Sequence, residues 1–256
     1  MNSVLFRSMV ITSLRDKITL FYSLLLPIAL IIGLGMFSDE PQQRLNIVSG
    51  ITAVSTLFWG MQGIAFQIHL QRSRGVYKLL KLTPMPLLSF ITVLVLARTI
   101  IGVVIHVVIW LFGIILFGLQ LSFILVILTL LWFTLGTICF TSIGVVLGNL
   151  ARNEAQINMF SNFAQIPMIF MSEVFYSLQA APAWVAAVGK LLPFEHYVNL
   201  MKDAHTLEGT LNGVALMVLV LYTVLALLVA VLTFRWDEDA SPRTKRTRRY
   251  HVQDAS

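Results

Sequence analysis

Long apolar runs constrain this chain more than any other feature, because together they cover most of its length. A helix rises about 1.5 Å per residue and the hydrocarbon core of a bilayer is about 30 Å thick, so about 20 apolar residues cross it. Six such runs are present, at residues 20–37, 47–67, 87–119, 121–147, 157–174 and 211–234. They predict an all-α, polytopic membrane protein with six transmembrane helices.

The composition excludes the common soluble classes. Hydrophobic residues make up 57% of the chain and charged residues 12%, whereas soluble domains carry about 25% charged residues. A soluble enzyme, a disordered regulator and, with the single Cys139 inside an apolar run, a disulfide-bonded secreted domain are excluded. The net charge of +6 does not predict nucleic-acid binding, because the basic residues lie between and after the apolar runs.

The distribution of Lys and Arg predicts the orientation in the membrane. One side holds fourteen of the 18 basic residues, and the other side holds Arg44, Lys190 and Lys202. Arg98 is left inside the third run. Both termini are therefore predicted to be cytoplasmic. The first run leads into Asp39 and Glu40 rather than into a small-residue cleavage site, so we expect a retained span and not a signal peptide.

Three segments outside the runs carry further predictions. Residues 1–18 are amphipathic and predict a helix in the cytoplasmic interface, the alternative being an unstructured leader that sets the topology. Residues 173–210 face outward and contain Trp184 and Tyr197, which suit the headgroup level, so we expect short interfacial or re-entrant helices rather than a plain exterior loop. Residues 235–256 are predicted to be a disordered basic cytoplasmic tail.

The cytoplasmic segment 68–86 is basic and ends in prolines. A short helix here, closed by Pro84 and Pro86, would present positive charge at the membrane surface. Such a helix fits a cleft on a cytoplasmic partner, and equally a loop that sets the topology by contacting anionic lipid. The residues that we expect to contact a partner are Arg72, Arg74, Gly75, Lys78 and Leu80.

The usual catalytic and nucleotide-binding motifs are missing from the sequence. It has no G-x-x-x-x-G-K-[ST], H-E-x-x-H or G-x-S-x-G, and its five histidines lack metal-ligand spacing, so no catalytic or metal site is predicted. Arg98 and His106 are polar residues inside the predicted third span. Insertion of an Arg at the centre of a transmembrane helix costs about 2.5–3.5 kcal/mol unless its side chain snorkels or pairs. These two residues leave open a lipid-modifying enzyme that uses Arg98, His106 or the Glu195–His196 pair, and a scaffold or sensor is a third possibility.

Nearly the whole of residues 1–234 resembles one family, the ABC-2 type permeases of ABC exporters. The resemblance rests on the leader, the six runs and the loop from Arg72 to Pro84 with its basic-Gly…Leu-x-x-Thr-Pro pattern. It rests further on the Arg-Asn-Glu-Ala-Gln stretch at 152–156, the segment 167–175, and Ala-Pro-Ala-Trp-Val at 181–185 followed by Leu-Pro-Phe at 192–194. Glu173 stands where the family often has Gly, and Val76 where it commonly has Thr.

The resemblance implies a transport subunit without its own cofactor. A separate cytoplasmic ATPase would bind ATP and Mg and push on the 68–86 coupling loop, while a second permease copy, identical or related, would complete the path. It also implies export of an amphiphilic drug, peptide or lipid-linked glycan across a bacterial inner membrane. Glu154, Gln156 and Glu173 are the candidates for residues along the path.

Overall fold

The computed structural model describes residues 6–7, 9–11, 17–81, 86–120, 122–178, 181–204 and 212–234, and the long elements in this part of the chain are all helices. A π-helical turn, Trp59–Gly63, joins the helices Pro41–Phe58 and Ile64–Ser73 without a break. The all-α prediction is confirmed for the described residues. The helices are α1 Lys17–Gly35, α2 Pro41–Phe58, α3 Ile64–Ser73, α4 Val76–Lys81, α5 Leu87–Leu116, α6 Phe123–Leu150, α7 Glu154–Phe170, α8 Ala183–Gly189, α9 Pro193–Asp203 and α10 Gly213–Thr233.

Four helices in the described residues are long and apolar enough to cross a membrane. They are the continuous helix Pro41–Ser73, α5, α6 and α10, and they coincide with four of the six predicted spans. The third predicted span is one unbroken 30-residue helix that ends in a turn where Gly118 has a φ of 61°. The other two predicted spans coincide with shorter helices, since the described apolar part of α1 is Ser23–Gly35 and α7 has 17 residues. The multi-pass membrane protein is confirmed, and the count of six stays a prediction.

Glycines allow the π-helical turn and α6 to approach backbone to backbone. A Cβ atom on Gly144 would lie 2.5 Å from the carbonyl oxygens of both Gly60 and Met61. A Cβ atom on Gly60 would lie 2.7 Å from the Cβ atom of Phe140. Small residues let membrane helices pack closely where the hydrophobic effect between helices is weak. The contact makes α6 the central helix, which also packs against α5 and α10.

Helix α10 lies along α6 through a narrow buried stripe. The buried residues recur every three or four positions and are mostly small: Ala215, Leu219, Thr223, Ala226 and Ala230. The hydroxyl of Thr223 contacts the thiol of the buried Cys139 in α6. The remaining faces of α10 are exposed and apolar, as expected for a helix that lipid surrounds on one side.

Residues 173–210, which we predict to face outward and here call the outward segment, contain α8 and α9, and α9 is largely buried. The hydroxyl of Tyr197 in α9 lies 3.2 Å from Thr56 Oγ1. The Tyr197 ring packs directly against Gly136, since a Cβ atom added to this glycine would lie only 2.6 Å from the Cζ atom of the ring. Thr56 and Gly136 are near the middle of Pro41–Ser73 and of α6. Two short helices are therefore present where we predicted them, and their depth in a membrane stays a prediction.

The two ends of the chain are described only in part. Residues 6–7 and 9–11 are helical, and Phe6, Met9 and Val10 pack on a cluster formed by α3, α4, α5 and α10. The interfacial position of residues 1–18 stays a prediction. The predicted basic tail, 235–256, lies outside the described residues.

Candidate functional site

The turn between α3 and α4 depends on the backbone of Gly75. Its φ is 72°, a conformation that glycine adopts without steric cost, and no atom lies within 4 Å of where a Cβ would be. Gly75 N donates to Arg72 O at 3.0 Å, and Gly75 O accepts from Lys78 N at 3.1 Å. Glycine is needed here for its backbone conformation, which turns the chain so that only Arg74 and Gly75 separate α3 from α4.

Arg72 lies inside the helix bundle rather than on its surface. Its Nη1 donates to Gly148 O at 3.1 Å and its Nη2 donates to Asn149 Oδ1 at 3.3 Å. Asn149 Nδ2 in turn donates to Ala230 O at 3.1 Å and Thr233 Oγ1 at 3.3 Å. Arg72 thus connects the ends of α3, α6 and α10, and its side chain is only 6% exposed.

Tyr77 anchors α4 to the bundle through an aromatic cluster. The ring is fully buried, with ring centroids 5.4 Å from Phe90 and 5.6 Å from Phe234, while Phe90 and Phe234 are 5.3 Å apart. Burial raises the pKa of the Tyr77 hydroxyl above its usual range. The sequence analysis did not select Tyr77, although its position on one face of a short basic helix was the available signal.

The surface that α4 presents is formed by other residues of the same loop. The side chains of Arg74 and Lys78 are exposed, and Leu79, which belongs to α4, is 70% exposed. Leu80 lies in α4, but its side chain falls outside the described residues. Of the predicted contact residues, Arg74, Gly75 and Lys78 therefore surround the exposed side of the turn, and Arg72 points inward.

Arg98 pairs between helices instead of snorkelling. Its guanidinium stacks on Trp59 with Cζ 3.4 Å from the ring centroid, and Nη2 donates to Trp59 O at 3.3 Å. Nη1 donates to Gln67 Oε1 at 3.4 Å, and Gly63 leaves the space that the guanidinium fills. Stacking on Trp offsets part of the cost of burying the charge. The π-helical turn, a feature often found at functional positions, is built around this contact.

His106 is fully buried farther along α5. Its Nδ1 lies 3.5 Å from Thr137 Oγ1, and its ring packs 6.0 Å from the ring of Phe133. Both intramembrane polar residues thus lie between helices, in contact with Trp59, Gln67 and Thr137.

The three predicted path residues do not come together. Glu154 is exposed in the first turn of α7. Gln156 forms the start of the same helix, because its N donates to Asn153 Oδ1 at 2.9 Å and its Oε1 accepts from Arg152 N at 2.9 Å. Glu173 lies beyond the opposite end of α7, about 25 Å away at the rise of an α-helix.

Glu173 organises the outward segment together with Glu195. Glu173 N donates to Glu195 Oε2 at 2.8 Å, and Glu173 Oε2 pairs with Lys202 Nζ at 3.5 Å. Burial raises the pKa of the Glu195 carboxyl. The adjacent His196 instead contacts Lys190 O through Nε2 at 2.8 Å, so the Glu195–His196 pair considered for an enzyme does not converge on one point.

Helix α7 carries a polar face that the sequence analysis missed. At 3.6 residues per turn, five polar residues fall within an arc of about 100°. Ser161 and Gln165 are fully buried, and the others are exposed, although Gln62 Nε2 in the π-helical turn donates to Asn158 Oδ1 at 2.9 Å. The signal was the four-residue spacing in the sequence. The residues of this polar face are Glu154, Asn158, Ser161, Asn162 and Gln165.

Comparison with known proteins places the geometry in context. Residues 2–204 match the sequence model of a family described as ABC-2 type transporter. The chain is also 23% identical over 189 residues to a Bacillus subtilis (strain 168) protein named Putative transport permease YvfS, which covers 72% of this chain and 77% of that protein.

Proposed function

This chain belongs to the ABC-2 type transporter family, and we propose that it is the membrane subunit of an ATP-driven exporter in a bacterial inner membrane. A separate cytoplasmic ATPase binds ATP and Mg, and this chain forms the path for an amphiphilic drug, peptide or lipid-linked glycan. Two copies, identical or related, complete the transporter. Both termini and the α3–α4 turn face the cytoplasm.

The α3–α4 turn is the observation that carries this proposal. Arg74 is exposed in the turn and Lys78 is exposed on α4, and Tyr77 fixes the opposite side of α4 to the bundle. A surface with exposed charge on a rigid base can receive a partner and pass movement inward. A loop that only sets the topology requires the charges but not the buried anchor.

The polar face of α7 supports the position of the path. Asn158 and Asn162 are exposed on a helix that coincides with a predicted span. Although Asn158 Oδ1 accepts from Gln62, contact of this face with lipid would be unfavourable, because amide groups in lipid need hydrogen-bond partners. Two copies that face each other across this side of α7 enclose the amides and leave a polar path between them. Met159, Phe163 and Phe170 on the neighbouring exposed face suit the apolar part of an amphiphile or the lipid.

The partner is tested by co-purification of the chain with its ATPase in mild detergent. We expect Arg74→Glu and Lys78→Glu to weaken the association about 10-fold or more each, since reversal of a charge at an interface turns attraction into repulsion. Lys190→Glu, an exposed charge on the outward segment, is the matched control and should bind as the wild type does. Equal binding by all variants would contradict docking at this turn.

The path is tested with single cysteines in a Cys139→Ala background. A cysteine at Asn158 should react with a hydrophilic, membrane-impermeant thiol reagent in sealed vesicles of known orientation, whereas one at Leu232, an exposed apolar residue of α10, should not. ATP hydrolysis by the reconstituted complex should rise with one class among a cationic amphiphilic dye, an apolar peptide and a lipid-linked glycan. Equal reactivity at both cysteines would argue against a path along α7.

A further inference from the structure

The α3–α4 turn, which faces the proposed ATPase, contacts one pair of helices at their cytoplasmic ends. Arg72, at the end of α3, donates to α6 through Gly148 and Asn149, and Asn149 continues to α10. Tyr77 of α4 packs on Phe234 at the end of α10. Arg72 thus reaches α6 directly and α10 through Asn149, while Tyr77 reaches α10 and also packs on Phe90 of α5. Helices α6 and α10 are here called the α6–α10 pair.

The same pair contacts the outward helices. Tyr222 in the middle of α10 donates its hydroxyl to Leu191 O, in the connection between α8 and α9, at 2.7 Å. On α6, Gly136 has no side chain and so leaves the space in which the ring of Tyr197 from α9 packs. About 18 Å of continuous helix separate Tyr222 from Phe234 at the rise of an α-helix.

The pair is bound together between these two ends. Asn149 joins the helices at the cytoplasmic end, Cys139 contacts Thr223 farther along, and alanines on α10 keep the backbones close. Neither helix contains a proline, so neither has the usual cause of a kink. A displacement of their cytoplasmic ends therefore also moves the middle of both helices, where they contact the outward segment.

We propose that the α6–α10 pair carries movement from α4 to α8 and α9. The positioning residues are Tyr77, which contacts the cytoplasmic end of the pair, and Tyr222, which contacts the connection between α8 and α9 from the middle of α10. This inference rests on the proposed function, because it takes the ATPase to act on α4. The contact of Tyr222 with Leu191 O then determines how far α8 follows α4. Loss of that hydroxyl separates the outward response from the cytoplasmic one, which a merely structural role would not do.

The test uses the complete complex with its ATPase in vesicles, and two reporter cysteines. Cys139 is kept, because its fully buried thiol is not accessible to a hydrophilic reagent. One reporter is at Leu79 in α4 and the other at Trp184 in α8, two exposed positions. The rate of labelling by a hydrophilic maleimide is measured with and without ATP plus vanadate. Tyr222→Phe is compared with Tyr176→Phe, a matched control whose hydroxyl donates to Phe170 O at the end of α7 and not to the α6–α10 pair.

We expect Tyr222→Phe to reduce the ATP-dependent change at position 184 about 2- to 10-fold, the ratio that one hydrogen bond accounts for. The change at position 79 and the rate of ATP hydrolysis should stay as in the wild type, and Tyr176→Phe should leave both reporters unaltered. Tyr77→Leu should remove the response at 184 while ATP hydrolysis continues.

Two results would overturn the inference, and they differ in what else they affect. An undiminished response at 184 in both Tyr222→Phe and Tyr77→Leu would show that movement takes another route, with the proposed function intact. A wild-type complex without any ATP-dependent change at position 79 would contradict the proposed function, and with it the role of the α6–α10 pair.

Discussion

At the scale of single residues, two glycines in similar helices have opposite surroundings. Gly144 touches the backbone of the π-helical turn, whereas Gly33 in α1 has no atom within 4 Å of where a Cβ would be. Gly144→Ala should lower the free energy of unfolding by about 1–3 kcal/mol, because α6 must move away from two carbonyl oxygens. Thermal unfolding in detergent measures the change. Gly33→Ala should have little effect, and an equal loss in both variants would contradict the close contact.

A second residue-scale prediction concerns the Glu195 carboxyl, whose pKa burial raises above its usual 4.5. The folded state then holds the proton more tightly than the unfolded state does. Stability from this group is therefore fully present below pH 4.5 and is lost as the pH rises through the folded-state value. Thermal unfolding over this pH range should show wild type losing stability relative to Glu195→Gln as the pH increases. A constant difference between the two would argue against the shift.

Single residues also show what the sequence could and could not predict. Arg98 was identifiable as an intramembrane charge, but its partner Trp59 is 39 positions away and only the tertiary fold brings the two together. Arg72 carries the same charge as Arg74, and sequence patterns cannot distinguish a basic residue in a partner-binding surface from one that binds helix ends inside the bundle. Tyr77 in its aromatic cluster was missed for the same reason.

At the scale of elements, the ends of α3, α6 and α10 are held by one hydrogen-bonded group. Arg72→Gln and Asn149→Ala should each destabilise the protein, and the double variant should lose less than the sum of the two. The difference, about 0.5–3 kcal/mol, is expected for residues that share one network. Chemical unfolding of all four proteins in detergent measures this cycle. Strictly additive losses would mean that the two side chains act independently.

Element positions were predicted well wherever length and hydropathy decide them. The predicted run 87–119 corresponds to Leu87–Leu116, and 211–234 to Gly213–Thr233, because apolar length is a property of the local sequence. The second run was too short, since Pro41–Ser73 continues on both sides through polar turns: the first is exposed at Pro41–Gln43, and the last holds the buried Gln71 and Arg72. The π-helical turn was not predictable, because it depends on the fit of Arg98 and α6 rather than on the residues within it.

At the scale of the whole molecule, the structure separates two ends of the helix bundle, which we predict to be a cytoplasmic side and an outward side. The α3–α4 turn and the ends of α6 and α10 form one, while α8, α9 and the Glu173–Lys202 pair form the other. Which end faces the cytoplasm stays a prediction from the positions of Lys and Arg. What the sequence could not predict is the connection between the sides, which runs through contacts of helices far apart in sequence.

The central claim is that a separate ATPase docks on the α3–α4 turn, and site-specific photocrosslinking tests it most directly. A photoreactive amino acid is placed at Leu79, which is 70% exposed, and in a second protein at Leu191, which is 69% exposed on the outward segment. Irradiation of membranes should join the ATPase polypeptide to position 79 and leave position 191 without it. An ATPase crosslink at 191, or none at 79 in a complex that still hydrolyses ATP, would contradict the account.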